Sequence, residues 1–294
     1  MNPEKFASSE RRLKLGFGTY GMKGVDIFEA ASRLRRMGYG ALEIAAAEGW
    51  PTAPDRLDAS TRQRLRRHLE DLGFSPPVLL ASLAPFKSGN ALELERRSFD
   101  KICALARDLN FGSGAAIVTT TFGGEQPDWG TQRRYLRDRM LKWADAAAHW
   151  GVVLAVEPHI GGCFDRPEKA RWLMEHSRHP ALRLNFDFSH FHLQGLDLKS
   201  CLEMCAPFTV HLHIKDGFLR DGKPRFLLPG QGNLDLTAYM SAIAESGLTL
   251  PVTVEVSGML WNDPAYDPWT AAERSFAALE HAQDLCRDIH SLTE

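Results

Sequence analysis

Short apolar runs alternate with amphipathic segments along the whole chain. The runs are rich in β-forming side chains and predict strands over residues 13–18, 41–45, 77–84, 114–123, 152–158, 182–190, 209–216 and 251–257. The segments between them have apolar residues at helical spacing and predict helices over about residues 24–37, 60–72, 92–109, 132–150, 167–176, 198–205, 234–247 and 268–289. Strands that alternate with helices favour a parallel sheet, and eight such units predict an α/β fold, a single (β/α)8 TIM barrel.

A doubly wound open sheet is the competing α/β architecture. It would favour a phosphate-binding turn after the first strand, but "GFGTYGMKG" lacks the G-x-G-x-x-G spacing. The chain has 294 residues, of which 44% are hydrophobic, and this suits one barrel. We therefore predict one domain over residues 1–294, with residues 1–12 as an N-terminal extension.

Composition and charge exclude several classes of partner. A net charge of −2 gives no global field for nucleic acid or an anionic membrane, and the arginine-rich helices are interpreted as solvated outer faces. The sequence shows neither a membrane-spanning run nor a secretory signal, and five unevenly spaced cysteines do not form a disulfide framework. Cys201 and Cys205 are expected to be buried thiols, and the cytoplasm is the expected compartment.

Polar residues stand at the inward-facing ends of four consecutive predicted strands. Side chains of a strand alternate between its two faces, so the apolar set of each of these strands faces the helices. The inward set then ends in Glu157, Asp187, His213 and Glu255. Active sites of barrels lie at the carboxyl ends of the strands, where we expect these four residues to meet.

Three carboxylates at one barrel mouth need a counter-charge, because neighbouring like charges raise each other's pKa. A divalent cation supplies that charge directly. Three oxygen donors and one imidazole suit Mn²⁺, Mg²⁺ or Co²⁺, and suit Zn²⁺ less specifically. The sequence therefore predicts one divalent metal ion held by Glu157, Asp187, His213 and Glu255.

The ordered set of motifs "VEPH", "FDFSH", "HLHIKD" and "VTVEVS" resembles the xylose isomerase-like TIM barrels, the sugar phosphate isomerase/epimerase superfamily. The segment "LPGQGNLDL" also resembles the turn that leads into the seventh helix of that family. The resemblance covers nearly the whole chain. It implies that the four residues bind a single metal ion, most often Mn²⁺.

The resemblance also implies the reaction. Glu157 and Glu255 would lie on opposite sides of a bound keto-sugar or sugar derivative and act as its acid–base pair, through an enediolate stabilised by the metal. His190 would contact substrate hydroxyls beside the metal. An isomerase or epimerase is thus expected, and a lyase, either a dehydratase or a decarboxylase of a keto-polyol or oxo sugar acid, is the alternative on the same site.

Six residues in all are candidates for substrate binding. Lys215 would stabilise a developing enediolate as a fixed cation, while His211 shares its strand face, Glu43 ends the second strand, His159 lies two residues after Glu157, and Trp261 follows the eighth strand. His190 completes the set, and Tyr20 is a further residue that could line the pocket.

Two positions depart from the ketose 3-epimerases of the family. Those enzymes carry a glutamate where this chain has Cys163 and an arginine where it has Leu219. A plain epimerase of free ketoses is therefore in question. An abasic-site endonuclease and a non-catalytic sugar-binding barrel remain as minor alternatives. The expected partner is a small sugar or sugar acid, and assembly into a homo-oligomer is left open.

Overall fold

Eight parallel strands close into a barrel. Neighbours around the ring follow the order of the strands along the chain, and the last barrel strand pairs with the first. The computed structural model describes the backbone of residues 12–291 and the side chains of residues 12–287. Residues 1–11 of the predicted N-terminal extension lie outside the described residues. The predicted (β/α)8 barrel is confirmed.

The barrel strands are β1 (Leu15–Gly18), β2 (Ala41–Ala45), β3 (Val78–Ala81), β4 (Ala116–Thr120), β5 (Val152–Val156), β6 (Leu182–Asp187), β7 (Thr209–Ile214) and β10 (Val252–Val254). Two further strands, β8 (Asp216–Arg220) and β9 (Lys223–Leu227), form an antiparallel hairpin outside the barrel. The helices are α1 (Ile27–Met37), α2 (Ala59–Asp71), α3 (Gly89–Leu109), α4 (Trp129–His149), α5 (Pro167–Ser177), α6 (Phe188–His192), α7 (Leu198–Cys205), α8 (Leu236–Glu245), α9 (Gly258–Trp261) and α10 (Pro268–Ser291).

Aspartates begin many of these helices. A carboxylate at the N-cap accepts hydrogen bonds from backbone N–H groups that have no partner within the helix. The side chain of Asp26, for example, accepts from the N–H groups of Phe28 and Glu29, and α1 ends at Gly38 with φ of 111°. The same N-cap pattern occurs at Asp58, Asp128, Asp187, Asp197 and Asp235.

The main core lies between the barrel and the helices. Outward residues of the strands, such as Val118, Leu154 and Leu212, are fully buried against the inner faces of the helices. Cys201 and Cys205 are buried in this layer, and burial raises the pKa of the Cys201 thiol to about 12. Within residues 12–291, no helix combines the length and apolar character that a membrane span requires.

The β8–β9 hairpin replaces part of what the sequence predicts as one long loop. Its turn is Asp221-Gly222, and both residues have positive φ, of 52° and 71°. An Asp-Gly pair is the usual choice for a two-residue hairpin turn of this kind. Asp216 then fixes the loop that follows, because its carboxylate accepts hydrogen bonds from the N–H groups of Gly230, Gly232 and Leu234.

β6 is shorter than predicted. It ends at Asp187, and the predicted strand residues 188–190 belong to the single-turn helix α6. The reason is local, because the Asp187 carboxylate accepts a hydrogen bond from the Ser189 N–H at 2.9 Å and caps this turn. The turn moves His190 from a strand position to a helical one.

Candidate metal centre and catalytic cavity

A β-bulge aligns the polar residues of β6 and β7. Leu184 pairs with Thr209, but the next residue, Asn185, pairs with His211, so β7 contributes one extra residue at this point. Without that extra residue, Asn185 would pair with the apolar Val210. A slip of one residue in register moves every side chain of a strand to the other face. The bulge therefore sets Asp187 beside His213.

Ser189 joins the start of α6 to the end of β7. Its hydroxyl donates to the carbonyl of Lys215 at 2.7 Å and accepts from the Lys215 N–H at 2.8 Å. The connection positions His190, which is fully buried and has its Nε2 3.0 Å from Glu157 Oε1. A residue that the sequence assigned to a strand thus reaches the polar cluster from a helix.

The four predicted ligands meet at the carboxyl ends of their strands. One ligand atom each from Glu157, Asp187, His213 and Glu255 lies within 4.8 Å of the other three. His213 Nδ1 is 2.8 Å from Glu157 Oε2 and 3.3 Å from Glu255 Oε2. Asp187 and His213 are almost completely buried, and the Glu255 side chain is 14% exposed.

Lys215 is the main cation of the cluster. Its Nζ donates to Asp187 Oδ2 and to Glu255 Oε2, and lies 3.9 Å from Glu157 Oε1. Burial disfavours the charged ammonium, but the surrounding carboxylates outweigh burial and raise the pKa of Lys215 above its usual value. The ammonium therefore stays charged in the barrel interior.

His213 lies between carboxylates on both of its ring nitrogens. Nε2 is 2.9 Å from Glu43 Oε2, on the side opposite to Glu157. Burial opposes protonation, but Glu43 and Glu255 outweigh it, so the pKa of His213 is raised well above its usual value. Both nitrogens then donate hydrogen bonds, and a metal ion at Nδ1 would have to replace a proton.

The carboxylates of the cluster are ionised despite their burial. Burial by itself raises the pKa of Glu157, but Lys215 and the hydrogen bonds from His190 and His213 lower it well below the usual value. In the same way, Lys215 lowers the pKa of Asp187 and of Glu255 against the effect of burial. Burial likewise raises the pKa of Glu43, but His213 and His211 lower it below its usual value.

This balance of charge fits a divalent cation. Four carboxylates, those of Glu43, Glu157, Asp187 and Glu255, face two positive side chains, Lys215 and His213. The excess of negative charge is buried, which is costly unless it is paired or bound to metal. In addition, the buried Asn185 Oδ1 has no hydrogen-bond partner among the described residues. The donor set is that of a hard divalent ion with open positions.

A cavity of about 190 Å³ opens above the cluster at the barrel mouth. Glu157, His213, Lys215 and Glu255 lie in its wall, together with the predicted substrate contact His159 and with Tyr20. Burial lowers the pKa of His159 to about 4, so its imidazole is neutral at physiological pH. His159 Nδ1 donates to the Ile160 carbonyl at 2.8 Å, which leaves Nε2 as an acceptor.

Four other candidates lie outside the lining of this cavity, and one of them is the fully buried His190. Glu43 and His211 are buried below His213, with His211 Nε2 3.4 Å from Glu43 Oε1. Trp261 packs edge-to-face on Tyr20 and Trp50. In this structure, these positions support neighbouring residues of the wall, and their predicted substrate contacts stay predictions.

Two residues of the site were missed in the sequence. Asn185 donates from Nδ2 to Glu157 Oε2 at 2.6 Å, and only its inward position in β6 indicated it. Phe226 of β9 covers the cavity, with its ring centroid 5.1 Å from that of His190 and 5.6 Å from Lys215 Nζ. The signal for Phe226 was the Asp-Gly turn, which predicts that the chain returns to the site.

The sequence matches a known protein family over most of its length. The family model described as "Xylose isomerase-like TIM barrel" matches residues 31–289. The chain belongs to this family. Inosose isomerase of Bacillus velezensis is 30% identical to it over 166 residues, which are 51% of this chain and 57% of that relative. The match thus spans little more than half the length of the relative.

Several solved structures share the fold of the present chain at low sequence identity. The probable 3-DHS dehydratase AsbF from Bacillus anthracis has a TM-score of 0.74 and 14% identity, and the match covers 91% of this chain and 99% of that one. A structure of the IOLI protein with a bound zinc atom has a TM-score of 0.73 and 19% identity, with coverage of 93% and 98%. These likenesses support the barrel architecture.

Proposed function

We propose that this chain is a divalent-metal-dependent isomerase or epimerase of a keto-sugar or keto-polyol. The observation that carries the proposal is the meeting of Glu157, Asp187, His213 and Glu255, with ligand atoms within 4.8 Å of one another. Glu157, His213 and Glu255 also line the cavity, and Asp187 is buried beside them. Family membership and the similarity to inosose isomerase support the same class of reaction.

These four residues would hold the metal ion, and Mn²⁺ is the ion we expect. When bound, such an ion polarises a carbonyl oxygen and makes the adjacent C–H more acidic. Lys215 adds a fixed positive charge at the same point of the cavity, since its ammonium is held by Asp187 and Glu255. A preorganised cation stabilises negative charge that develops on the substrate.

Glu255 is the proposed base. It is the most exposed of the four ligands, it lines the cavity, and its lowered pKa keeps it ionised at neutral pH. Glu157 would exchange a proton on the other side of the substrate. Its Oε1 lies next to His190, whose Nε2 is 3.0 Å away and could stabilise either charge state of the carboxyl group.

Several neutral groups are suited to hold the hydroxyls of a sugar. The imidazole of His159 offers an acceptor at Nε2, and Ser82, Thr120 and Thr121 lie in the same wall. Hydroxyl groups of this kind donate and accept hydrogen bonds, as a polyol requires. These side chains would fix the ring so that one C–H faces Glu255.

The test is hydrogen exchange with solvent. The Mn²⁺-loaded protein, incubated in D₂O with a panel of keto-hexoses and inososes, should transfer deuterium to the carbon next to the carbonyl without loss of water. Glu255→Gln keeps the size of the side chain but removes the base, and should slow exchange by about 10²- to 10⁴-fold.

The matched control is Glu203→Gln, because Glu203 is an exposed residue of α7 that does not line the cavity. It should leave the exchange rate unchanged. If Glu255→Gln exchanged deuterium at the wild-type rate, the proposed base would be wrong.

Elimination of water is the second candidate reaction. The fold similarity to a probable dehydratase favours testing it, and the same base could act on a substrate with a leaving group beside the reacting carbon. A product lighter than the substrate by one water would assign the site to a lyase. A product of unchanged mass would keep the isomerase or epimerase.

A further inference from the structure

A second cavity opens beside the catalytic one and is much larger. It has a volume of about 810 Å³, against about 190 Å³ for the catalytic cavity. Its walls are the segment between β2 and α2, the first residues after β3, one face of α3 and the first residues after β4. We call it the β2–β4 groove. Ser82 and Thr121 line both cavities, so the groove is continuous with the site.

Size separates the two compartments. Ligand pockets usually measure about 300–1,000 Å³, and only the groove falls in this range. The catalytic cavity by itself holds little more than the reacting ring. A substrate that filled both compartments would need a second unit attached to that ring.

The passage between the compartments depends on glycine. Gly123 donates from its backbone N to the Leu83 carbonyl oxygen at 2.8 Å. A Cβ at Gly123 would lie 2.7 Å from that oxygen, which is too close, so only glycine allows the two loops to approach here. Gly124 follows with φ of 74°. The loops after β3 and β4 are thus fixed side by side next to Ser82 and Thr121.

Charges along the groove are balanced. Lys87 pairs with Glu95 and Lys101 pairs with Asp55, each with a distance of 2.8 Å. Arg56 and Glu48 add one charge of each sign. A phosphate or carboxylate would therefore find no excess of positive charge among the described residues of the groove. A neutral unit with many hydroxyls could bond to these paired groups without breaking the balance.

We infer that the β2–β4 groove binds an uncharged sugar ring that is linked to the reacting keto-sugar, so the preferred substrate is a keto-glycoside and not a free monosaccharide. This inference rests on the proposed function, because it assigns the catalytic cavity to the keto ring. The ring in the groove does not react. Its contacts hold the keto ring in place over Glu255 and thereby raise kcat/KM.

Ser98→Trp tests the inference, since Ser98 is an exposed residue of α3 that lines the groove and lies outside the catalytic cavity. The wild-type protein should turn over a keto-disaccharide with a kcat/KM about tenfold or more above that of its free keto-sugar. Ser98→Trp should remove this preference and leave kcat/KM for the free keto-sugar unchanged. Arg97→Trp, on the same helix but outside the groove lining, should behave as wild type.

A binding measurement makes the inference testable even if no keto-sugar reacts. Calorimetry with four disaccharides, cellobiose, maltose, sucrose and trehalose, should show that at least one of them binds the wild-type protein about tenfold more tightly than glucose does. Ser98→Trp, or Ser98→Arg if the tryptophan variant does not fold, should abolish that difference. If disaccharides bound more tightly than glucose but no deuterium were exchanged, the proposed reaction would be refuted. The assignment of the groove to a second sugar ring would still stand.

Three results would overturn the inference. One is a free keto-sugar that is turned over as well as its glycosides by the wild-type protein. The second is a set of disaccharides that bind no more tightly than glucose, or equally well in both Ser98 variants. The third is tighter binding of glucose 6-phosphate than of any disaccharide, which would assign the groove to an anion.

Discussion

Strands β1–β4 end in uncharged residues at the barrel mouth, whereas strands β5, β6, β7 and β10 end beside charged ones. The first set ends in Gly18, Ala45, Ala81 and Thr120, and the second set delivers Glu157, Asp187, Lys215 and Glu255. The uncharged half borders the β2–β4 groove, and the charged half surrounds the proposed metal position. The charged half of the mouth is therefore suited to catalysis, and the uncharged half is suited to binding the rest of the substrate.

Below the mouth, one charged residue crosses this division between the two halves. Glu43 belongs to the uncharged half but lies deeper, where it pairs with His213 of the charged half. Thr119 of β4 donates to Glu43 Oε1 at 2.6 Å. The two halves are thus joined by one buried chain of contacts, and substitutions along it should have smaller effects the farther they are from the four ligands.

The largest effect is expected from Asp187→Asn. The substitution removes the charge of a proposed ligand and one of the two carboxylates that accept from Lys215. Mn²⁺ affinity should therefore fall by more than about 100-fold, the upper range seen when only a supporting residue of a metal ligand is changed. Calorimetric titration with Mn²⁺ measures this. Asp197→Asn, which changes an exposed helix cap, should keep wild-type affinity, and an unchanged affinity in Asp187→Asn would remove Asp187 from the site.

Lys215→Met should lower the unfolding free energy of the metal-free protein. Without the ammonium, buried carboxylates are left uncompensated, and removal of one partner of a buried ion pair costs about 3–5 kcal/mol. Chemical unfolding without metal should show this loss, and added Mn²⁺ should restore more stability to the variant than to the wild type. The exposed Lys199→Met is the control. Equal stability of Lys215→Met and wild type would contradict the burial of this charge.

Glu43→Gln should show a smaller effect that depends on pH. The pKa of His213 is raised, so its pairing with Glu43 stabilises the fold fully below the unfolded-state pKa of about 6.5 and is lost as pH rises through the folded-state pKa. The pKa of Glu43 is lowered, so its contribution is present above about 4.3 and is lost as pH falls through the folded-state pKa.

The difference in melting temperature between metal-free wild type and Glu43→Gln should thus be greatest between about pH 4.3 and 6.5. Melting curves over a range of pH, recorded with a chelator present, measure it. A difference that is independent of pH would mean that Glu43 and His213 do not form an ion pair.

The smallest effect is expected from Thr119→Val. This substitution removes one buried hydrogen bond to Glu43 and should cost about 1 kcal/mol of unfolding free energy. Mn²⁺ affinity should stay at the wild-type value. A loss of metal affinity as large as that of Asp187→Asn would mean that the uncharged half of the mouth also holds the ion.

Alternation within strands predicted the barrel and the meeting of its charged residues. Inward parity alone placed Glu157, Asp187 and Glu255 on one surface, because parallel strands of a closed barrel share one carboxyl end. His213 followed from the same argument. The confirmed fold and the family also agree with the motif order that the sequence showed.

Features that depend on contacts between strands could not be predicted in this way. The bulge that pairs Asn185 with His211 is a property of two strands together, and neither strand shows it alone. The single turn that carries His190 arises because Asp187 caps it, in a run that otherwise has a strand-like pattern. By contrast, the Asp221-Gly222 turn of the hairpin was present in the sequence as a local signal.

A crystal soaked in Mn²⁺ and measured for anomalous scattering is the decisive test of the proposed metal site. We expect one strong peak within ligand distance of Glu157, Asp187, His213 and Glu255, with the Lys215 ammonium displaced from at least one carboxylate. The three residues Glu43, His211 and His213 form another group with ligand atoms within 4.8 Å of one another. A peak at that deeper group, or no peak near Asp187 and Glu255, would mean that the four residues do not form the metal site.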